Sequence, residues 1–316
     1  MLPLLIWTTC LMSAGAQTTQ PARPRVLLIS VDGLRPDLIL RCQTPYMHAL
    51  FEGGSFSFWA KTTPGSITLP SHVSMLTGVV PEVHGILWNG DLPLTKPVYP
   101  NSATLFQLAK KAGYTTAMVA AKSKFNVLDV PGSLDFKYVT TDNKTEDREI
   151  ARRAVDILRS HQPEVMFVHF AGADVTGHAS GWGSAEQRTA IEEIDTCIGE
   201  MLEALEGVGL RKSTIIILSA DHGGQGRTHG PEDVRSRTIP WIINGPGVRK
   251  NYDLTLLGHE VEISTYDTFP TLCAILGIKP EKRLEGKFVV QAFENQELLN
   301  SSEDVRIAPA TPTQGN

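Results

Sequence analysis

The stretch Arg25-Val-Leu-Leu-Ile-Ser-Val31, followed at once by Asp32-Gly33, decides the fold. An unbroken apolar run of this length is typical of a strand that is buried on both faces of a parallel sheet. The abrupt change to Asp32-Gly33 marks the end of that strand. The stretch therefore predicts the first strand of a sheet that is covered by helices on both sides.

The chain beyond this stretch alternates between the two kinds of element. Apolar runs predict strands at Thr115–Ala120, Val165–Phe170, Ser213–Ser219 and Ile239–Ile243. Helical spacing predicts helices at Ser102–Ala112, Thr145–His161, Ala185–Glu206 and Tyr266–Leu276. This alternation predicts one α/β domain over residues 25–294, a three-layer sandwich with a mostly parallel central sheet and helices on both faces.

The two ends of the chain differ from this domain. Residues 1–16 carry no charge, centre on an apolar run and end in small residues, which predicts a signal peptide and a secreted or periplasmic protein, with an uncleaved leader as the alternative. Residues 17–24 form a predicted linker, and residues 295–316, rich in Ser, Thr, Pro and Gln, a predicted flexible tail. No later stretch has the roughly 20 apolar residues of a transmembrane helix.

Composition narrows the class of partner. The 316 residues are 41% hydrophobic and 20% charged, as in an ordinary globular protein, and the formal net charge is -5. Without a basic run, the chain lacks the feature that grips long nucleic acid, whereas a small anionic substrate held by metal is compatible. Without the leader, Cys42, Cys197 and Cys273 remain, too few and too scattered for a disulfide framework, so burial as small apolar residues is expected for Cys197 and Cys273.

Acidic residues and histidines follow several predicted strands. Ligands collect outside the carboxyl ends of the strands in such sheets, because the loops converge there. Each of these residues alone is more often a turn or capping residue, but their concentration after buried strands favours a metal site. Mixed oxygen and imidazole ligands favour zinc, with manganese possible. The predicted ligands of two neighbouring divalent ions are Asp32, Asp174, His178, Asp221, His222 and His229.

A hydroxyl group joins this set at Thr68, in the segment Thr68-Leu-Pro-Ser-His72. A hydroxyl placed before the start of a helix can be deprotonated by direct coordination to a metal ion and then act as a nucleophile. The same residue could equally be a helix cap. Its position alone leaves both roles open.

Four separated blocks in this order resemble the alkaline phosphatase superfamily, specifically its type I phosphodiesterase/nucleotide pyrophosphatase branch. The resemblance extends over roughly residues 25–290. It implies an alkaline phosphatase-like catalytic domain. The blocks are Val31-Asp32-Gly33; Thr68 to His72 with Thr77-Gly78 and His84-Gly85-Ile86; Asp174 to His178; and Ala220-Asp221-His222-Gly223 with His229-Gly230.

The resemblance implies a role for each matched residue. Asp174, His178 and a third histidine would bind one zinc ion, while Asp32, Asp221, His222 and the Thr68 hydroxyl would bind the other. The third histidine is His229 rather than His259, because its spacing from Asp221-His222 resembles that of the phosphomutase relatives. Asn89, 21 positions after Thr68, would donate a hydrogen bond to a phosphoryl oxygen, although Asn89-Gly90 is also a good turn dipeptide.

The resemblance implies hydrolysis of small phosphate esters, with nucleotides among the candidate substrates, through a covalent phospho- or nucleotidyl-threonine. The amide of Leu69 is expected as a second donor to the phosphoryl oxygens. A phosphomonoesterase, a phosphomutase-like enzyme and a non-catalytic phosphate-binding protein remain alternatives, whereas a sulfatase is excluded because threonine cannot form the required aldehyde. Lys122, Lys124 and Phe125 could contact substrate, although a solvated position is expected for loop lysines.

Overall fold

The computed structural model describes residues 23–90, 96–141, 146–280 and 283–294. The predicted leader and tail lie outside these residues, as does most of the predicted linker. Among the helices of the described part, none combines the length and apolar character needed to cross a bilayer.

The structure is built around one eight-stranded sheet, in the order β4-β3-β5-β1-β6-β7-β2-β8. All neighbouring strands run parallel except the pairs β6–β7 and β7–β2, so that β7 alone runs against the others. The strands are β1 (Arg25–Val31), β2 (Ser55–Lys61), β3 (Thr116–Ala120), β4 (Phe136–Val139), β5 (Val165–Phe170), β6 (Thr214–Ser219), β7 (Thr238–Asn244) and β8 (Tyr252–Asp253).

The helices form two groups. One contains α1 (Pro36–Arg41), α2 (Pro45–Glu52), α6 (Asp147–His161), α7 (Gly172–Ser180) and α8 (Ala185–Gly207), which pack against one another around α8. The other contains α3 (Thr68–Thr77), α4 (Pro81–His84), α5 (Leu105–Lys111) and α10 (Thr268–Ile275). The short α9 (Val234–Arg237) packs on β7. The architecture is the expected three-layer, mostly parallel α/β sandwich.

The whole apolar run Arg25–Val31 forms strand β1, as predicted. Strand β1 lies between β5 and β6, and every residue after Arg25 is buried, as the pattern of a central parallel strand predicts. Strands β5 and β6 are buried along their whole length as well. These three strands bring three loop segments to one edge of the sheet.

Local sequence explains where several helices begin and end. Helix α5 starts three residues later than Ser102, because Thr104 and Gln107 form a capping box at its N-terminus. Helix α3 ends at Thr77, and the φ of 73° at the next residue, Gly78, is the left-handed conformation that glycine adopts readily at a helix C-terminus. The described cysteines, Cys42, Cys197 and Cys273, are free and buried, as expected for Cys197 and Cys273.

Candidate metal centre

Three adjacent parallel strands end at the same place in the sheet. Asp32 follows β1 directly, Asp221 and His222 follow β6, and Asp174 lies in the first turn of α7, the helix that follows β5. Because β5, β1 and β6 are neighbours, their carboxyl ends converge. The predicted ligands from distant parts of the sequence are therefore brought together at one edge.

The first cluster, called here the inner group, consists of Asp32, Asp221 and His222, all with no exposed surface. The Nε2 atom of His222 lies 3.4 Å from Oδ1 of Asp32 and 3.3 Å from Oδ2 of Asp221. The Thr68 hydroxyl oxygen lies 3.3 Å from the same nitrogen. Thr68 therefore reaches the inner group, as its predicted role requires.

The second cluster, the outer group, consists of Asp174, His178 and His229. Nε2 of His178 lies 3.3 Å from Oδ1 of Asp174, and the His178 side chain is 44% exposed. The His229 ring lies 5.1 Å from that of His178 and stacks at 3.7 Å on His222 of the inner group, measured between ring centres. The side chain of His259 lies outside the described residues.

The residues of both groups fit divalent metal ions. One buried oxygen of each carboxylate has no hydrogen-bond partner: Oδ1 of Asp32, Oδ1 of Asp174 and Oδ2 of Asp221. Such unpaired buried oxygens are costly unless a cation or donor satisfies them. In a tetrahedral zinc site with bonds of about 2.1 Å, ligand atoms lie about 3.4 Å apart. The separations of 3.3 and 3.4 Å around His222 Nε2 match this value.

The three histidines are oriented in the same way. Nδ1 of His178 donates to the Arg227 carbonyl at 3.0 Å, and Nδ1 of His229 donates to the Ser66 carbonyl at 2.6 Å. Nδ1 of His222 contacts the Gly223 carbonyl at 2.9 Å. A carbonyl oxygen can only accept, so Nε2 of each ring carries the free lone pair. This is the usual outer-shell arrangement of metal-binding imidazoles.

The remaining carboxylate oxygens are held by donors from the protein. Oδ2 of Asp32 accepts from Lys122 Nζ at 2.6 Å and lies 3.1 Å from His169 Nε2. Oδ2 of Asp174 accepts from the same Lys122 at 2.7 Å, and Oδ1 of Asp221 accepts from the Gly33 amide at 3.1 Å. Each carboxylate therefore turns one fixed oxygen outward and one unpaired oxygen inward.

Electrostatics reflects the crowding of negative charge. Burial raises the pKa of Asp221 well above its usual range, and the neighbouring Asp32 and Asp174 raise it further. Burial also opposes ionisation of Asp32, but Lys122, His169 and His222 together hold the pKa of Asp32 well below its usual range. Burial lowers the pKa of His222 to about 4, which keeps this imidazole neutral at pH 7. A neutral imidazole is the form that binds metal.

Helix α3 presents Thr68 to the inner group at its first turn. His72 donates from Nδ1 to the Thr68 carbonyl at 2.8 Å, and its Nε2 accepts from the Ser30 hydroxyl at 2.8 Å on β1. Ser71 donates to the Asp221 carbonyl at 2.9 Å. These contacts tie the helix to two strand ends. The first amides of a helix also favour negative charge, which suits a phosphoryl group beside Thr68.

Asn89 lies next to this helix start. Its Oδ1 accepts from the Leu69 amide at 3.0 Å and from Lys124 Nζ at 2.9 Å. Because both partners are donors, the side-chain NH2 group of Asn89 points the other way and can donate. The Leu69 N–H donates to Asn89 in this structure, and its expected role as a donor to a phosphoryl oxygen stays a prediction. The roles of Thr68 and Asn89 in chemistry stay predictions.

Sequence reasoning misjudged one residue of the site and missed another. Lys122, for which a solvated loop position was expected, has a side chain only 12% exposed and contacts both clusters, because β3 lies beside β5 and delivers it there. His169 was not considered. Its signal is its position as the one polar residue of the buried strand Val-Met-Phe-Val-His-Phe, β5.

The structure thus combines a mostly parallel α/β sheet with two ligand groups that form a candidate dimetal centre. The family model described as type I phosphodiesterase/nucleotide pyrophosphatase matches residues 26–234, which is more than half of the chain. The chain therefore belongs to the type I phosphodiesterase/nucleotide pyrophosphatase family of hydrolases, within the alkaline phosphatase superfamily.

Similar sequences agree with this family. An uncharacterized pyrophosphatase/phosphodiesterase of Schizosaccharomyces pombe is 28% identical over 290 residues, covering 85% of this chain and 54% of the relative. The bis(5'-adenosyl)-triphosphatase ENPP4 of Bos taurus is 25% identical over 237 residues, covering 71% of this chain and 52% of the relative. The chain thus spans about half the length of these two relatives.

Solved structures support the fold. An inactive variant of the murine ectonucleotide pyrophosphatase/phosphodiesterase 5, in complex with AMP, superimposes with a TM-score of 0.71 at 14% identity, covering 86% of this chain and 100% of the other. A phosphonate monoester hydrolase of Agrobacterium radiobacter gives a TM-score of 0.66 at 19% identity, covering 86% of this chain and 77% of the hydrolase. Both share the alkaline phosphatase-like sheet.

Proposed function

We propose that this protein hydrolyses small phosphoric esters of the phosphodiester and nucleotide pyrophosphate type. It would use two divalent metal ions, a zinc pair as its ligand types favour, and Thr68 as the nucleophile. Family membership and the two ligand groups support this proposal. Asp32, Asp221 and His222 would hold one ion together with Thr68, and Asp174, His178 and His229 the other. Such ions lower the pKa of a bound hydroxyl and neutralise charge on phosphoryl oxygens.

The single observation that carries the proposal is the position of the Thr68 hydroxyl. Its oxygen lies 3.3 Å from Nε2 of His222, at the first turn of a helix and beside the unpaired oxygens of Asp32 and Asp221. A helix-capping role does not explain it, since the residue before the helix start is Ile67 and the hydroxyl faces the ligands. This position suits a nucleophile.

The chain's own residues account for two displacement steps. The deprotonated Thr68 oxygen attacks phosphorus, the bond from phosphorus to the leaving oxygen breaks, and that oxygen takes up a proton. A water molecule then attacks the same phosphorus and loses a proton, the bond to Thr68 breaks, and Thr68 regains its hydroxyl proton. Asn89, fixed through its carbonyl oxygen, would donate its NH2 group to a phosphoryl oxygen throughout.

Substitution of Thr68 tests the proposal. With zinc-loaded protein, we expect Thr68→Ala to lower the rate on the p-nitrophenyl ester of thymidine monophosphate by at least about a thousandfold, because no other hydroxyl replaces the nucleophile. Metal content, measured by mass spectrometry, should stay near the wild-type value, because six side-chain ligands remain. Thr68→Ser should keep a measurable part of the rate.

The matched control is Thr77→Val at the other end of helix α3. Thr77 is buried, and its hydroxyl donates only to the Val73 carbonyl, so this variant should keep the wild-type rate. Substantial turnover by Thr68→Ala would show that Thr68 is not the nucleophile. The rate on p-nitrophenyl phosphate, measured in parallel, separates diester from monoester preference, and the absence of turnover on both by wild-type protein would favour a binding protein.

A further inference from the structure

Two lysines enter the candidate metal centre from the side of β3. Lys122 follows this strand by two residues, and Lys124 lies in the first turn of the 3-10 segment Ser123–Leu128 that comes next. Strand β3 is the neighbour of β5 and runs parallel to it, so its carboxyl end lies at the same edge of the sheet as the metal ligands. Both lysines are thus delivered by the fold rather than by a loose surface loop.

Lys122 connects the two ligand groups. Its Nζ lies 2.6 Å from Oδ2 of Asp32 in the inner group and 2.7 Å from Oδ2 of Asp174 in the outer group. In both carboxylates the other oxygen, Oδ1, is the unpaired one that faces the centre. One ammonium group therefore fixes the rotation of one carboxylate in each group and leaves the metal-facing oxygens free.

Lys124 is placed differently. Its Nζ donates to Oδ1 of Asn89 at 2.9 Å, and no carboxylate of the described residues lies within ion-pair distance of it. Burial and the neighbouring Lys122 lower the pKa of Lys124, whereas Asp32, Asp221 and Asp174 raise it, so these charged groups lie near its ammonium group. It also lines an open cleft of about 450 Å³ beside Trp88. An ammonium group whose described hydrogen-bond acceptor is a neutral amide has donors left for an anion.

The charges of the centre suit a strongly anionic ligand. Three carboxylates and the deprotonated Thr68 oxygen carry four negative charges, which the four positive charges of two divalent ions would balance. The two lysines then leave an excess of two positive charges. A ligand with more than one negative charge is therefore balanced better than a neutral or singly charged one, and the balance rests on lysines as well as on metal.

We propose that Lys122 and Lys124 complete this centre as a functional pair: Lys122 is a positioning residue for Asp32 and Asp174, and Lys124 binds the phosphoryl oxygens of the substrate beside Asn89. The proposal rests on the proposed function for the identity of the substrate. Lys124 would act both through its charge and by keeping the NH2 group of Asn89 turned toward those oxygens. Neither role requires a proton to be transferred.

Binding of inorganic phosphate to zinc-loaded protein tests Lys124 without turnover. By titration calorimetry, we expect Lys124→Gln to weaken phosphate binding by at least tenfold, because a charge-assisted hydrogen bond contributes about 1.5–3 kcal/mol. Lys124→Arg, which keeps the charge, should retain more of the affinity, and zinc content should not change. The control is Lys110→Gln, which removes a more exposed lysine paired with Asp135, outside the centre, and should bind phosphate normally.

Thermal unfolding tests Lys122. We expect Lys122→Met to lower the unfolding midpoint of the metal-free protein by several degrees, since Asp32 and Asp174 then lack their shared counter-ion. The loss should be smaller when zinc is bound, because the ions supply positive charge. An equal loss with and without zinc would overturn the positioning role.

The outcomes for the pair and for the proposed function are separable. Unchanged phosphate affinity in Lys124→Gln overturns the role of Lys124 even if wild-type protein hydrolyses esters through Thr68. A tenfold loss of phosphate affinity supports it even if wild-type protein hydrolyses no ester. In that case the proposed hydrolysis is wrong, whereas the role of Lys124 in binding phosphate is supported.

Discussion

The inner and outer groups supply similar ligand atoms from different parts of the fold. Asp32, Asp221 and His222 lie within three residues of the ends of central strands and have no exposed surface. Asp174 and His178 lie on the nine-residue helix α7, and His229 lies in the loop before α9, with the His178 side chain 44% exposed. Hydrogen bonds to a neighbouring strand on each side fix the ends of β1 and β6, whereas a short helix and a loop have fewer such constraints. If each group binds an ion as proposed, we expect the outer ion to exchange more readily than the inner one.

Removing one histidine from each group gives the largest contrast. We expect His222→Ala to lower the rate by at least about a thousandfold at every zinc concentration, because it removes a ligand adjacent to Thr68 and leaves buried carboxylates unsatisfied. His178→Ala should weaken metal binding about 10- to 100-fold, and added zinc should restore part of the rate. Rates measured against zinc concentration check this, and an identical response of both variants would remove the distinction.

Metal removal gives an intermediate effect. When zinc-loaded protein is titrated with a chelator, we expect two phases, with the first ion leaving from the outer group because His178 and its loop partner His229 are the accessible ligands. Metal content followed by mass spectrometry should pass through a species with one ion. In His178→Ala the first phase should shift to lower chelator concentration while the second stays unchanged. A single phase would contradict the comparison.

The smallest effect concerns the support of helix α7. The carboxylate of Asp147 accepts from the amides of Ala171 and Gly172, both at 2.9 Å, at the start of this helix. Burial raises the pKa of Asp147 to about 6. The folded protein therefore holds this proton more tightly than the unfolded chain, so the free energy of unfolding contributed by Asp147 rises as pH falls from about 7 toward 5.

Denaturant unfolding of the metal-free protein measures this contribution. We expect a gain of about 1 kcal/mol between pH 7 and pH 5 that is reduced in Asp147→Asn, which cannot titrate. The same variant should weaken the outer ion and leave the inner ion unchanged, since Asp147 supports only α7. An unchanged pH dependence in Asp147→Asn would show that Asp147 is not the titrating group.

Sequence predicted the strands that carry the centre, because each is a single apolar run with an acidic residue one to four positions after its end. Strands β1 and β5 have the expected bounds, and β6 begins one residue later than expected. The ligand candidates from these strand ends lie together, because the carboxyl ends of neighbouring parallel strands lie at the same edge of the sheet. The physical rule behind the prediction is the rigid geometry of a parallel sheet.

Other features depend on neighbours that sequence does not reveal. The direction of β7 cannot be read, since an apolar run looks the same in a parallel and an antiparallel strand. Strand β2 was missed because its Ser-Phe-Ser-Phe-Trp-Ala-Lys sequence mixes polar and aromatic residues at an irregular register with β7. Lys122 was misjudged because its burial depends on which strand lies next to β3.

The reversed direction of β7 sends the turn after it to the opposite edge of the sheet. Gly245 there lies against the first residues of β6, and Asn251 has a φ of 47° within an exposed turn. A short affinity tag or reporter peptide could therefore be inserted between Lys250 and Asn251. It would lie at the edge of the sheet opposite the candidate metal centre, which would stay accessible when the protein is assayed or immobilised.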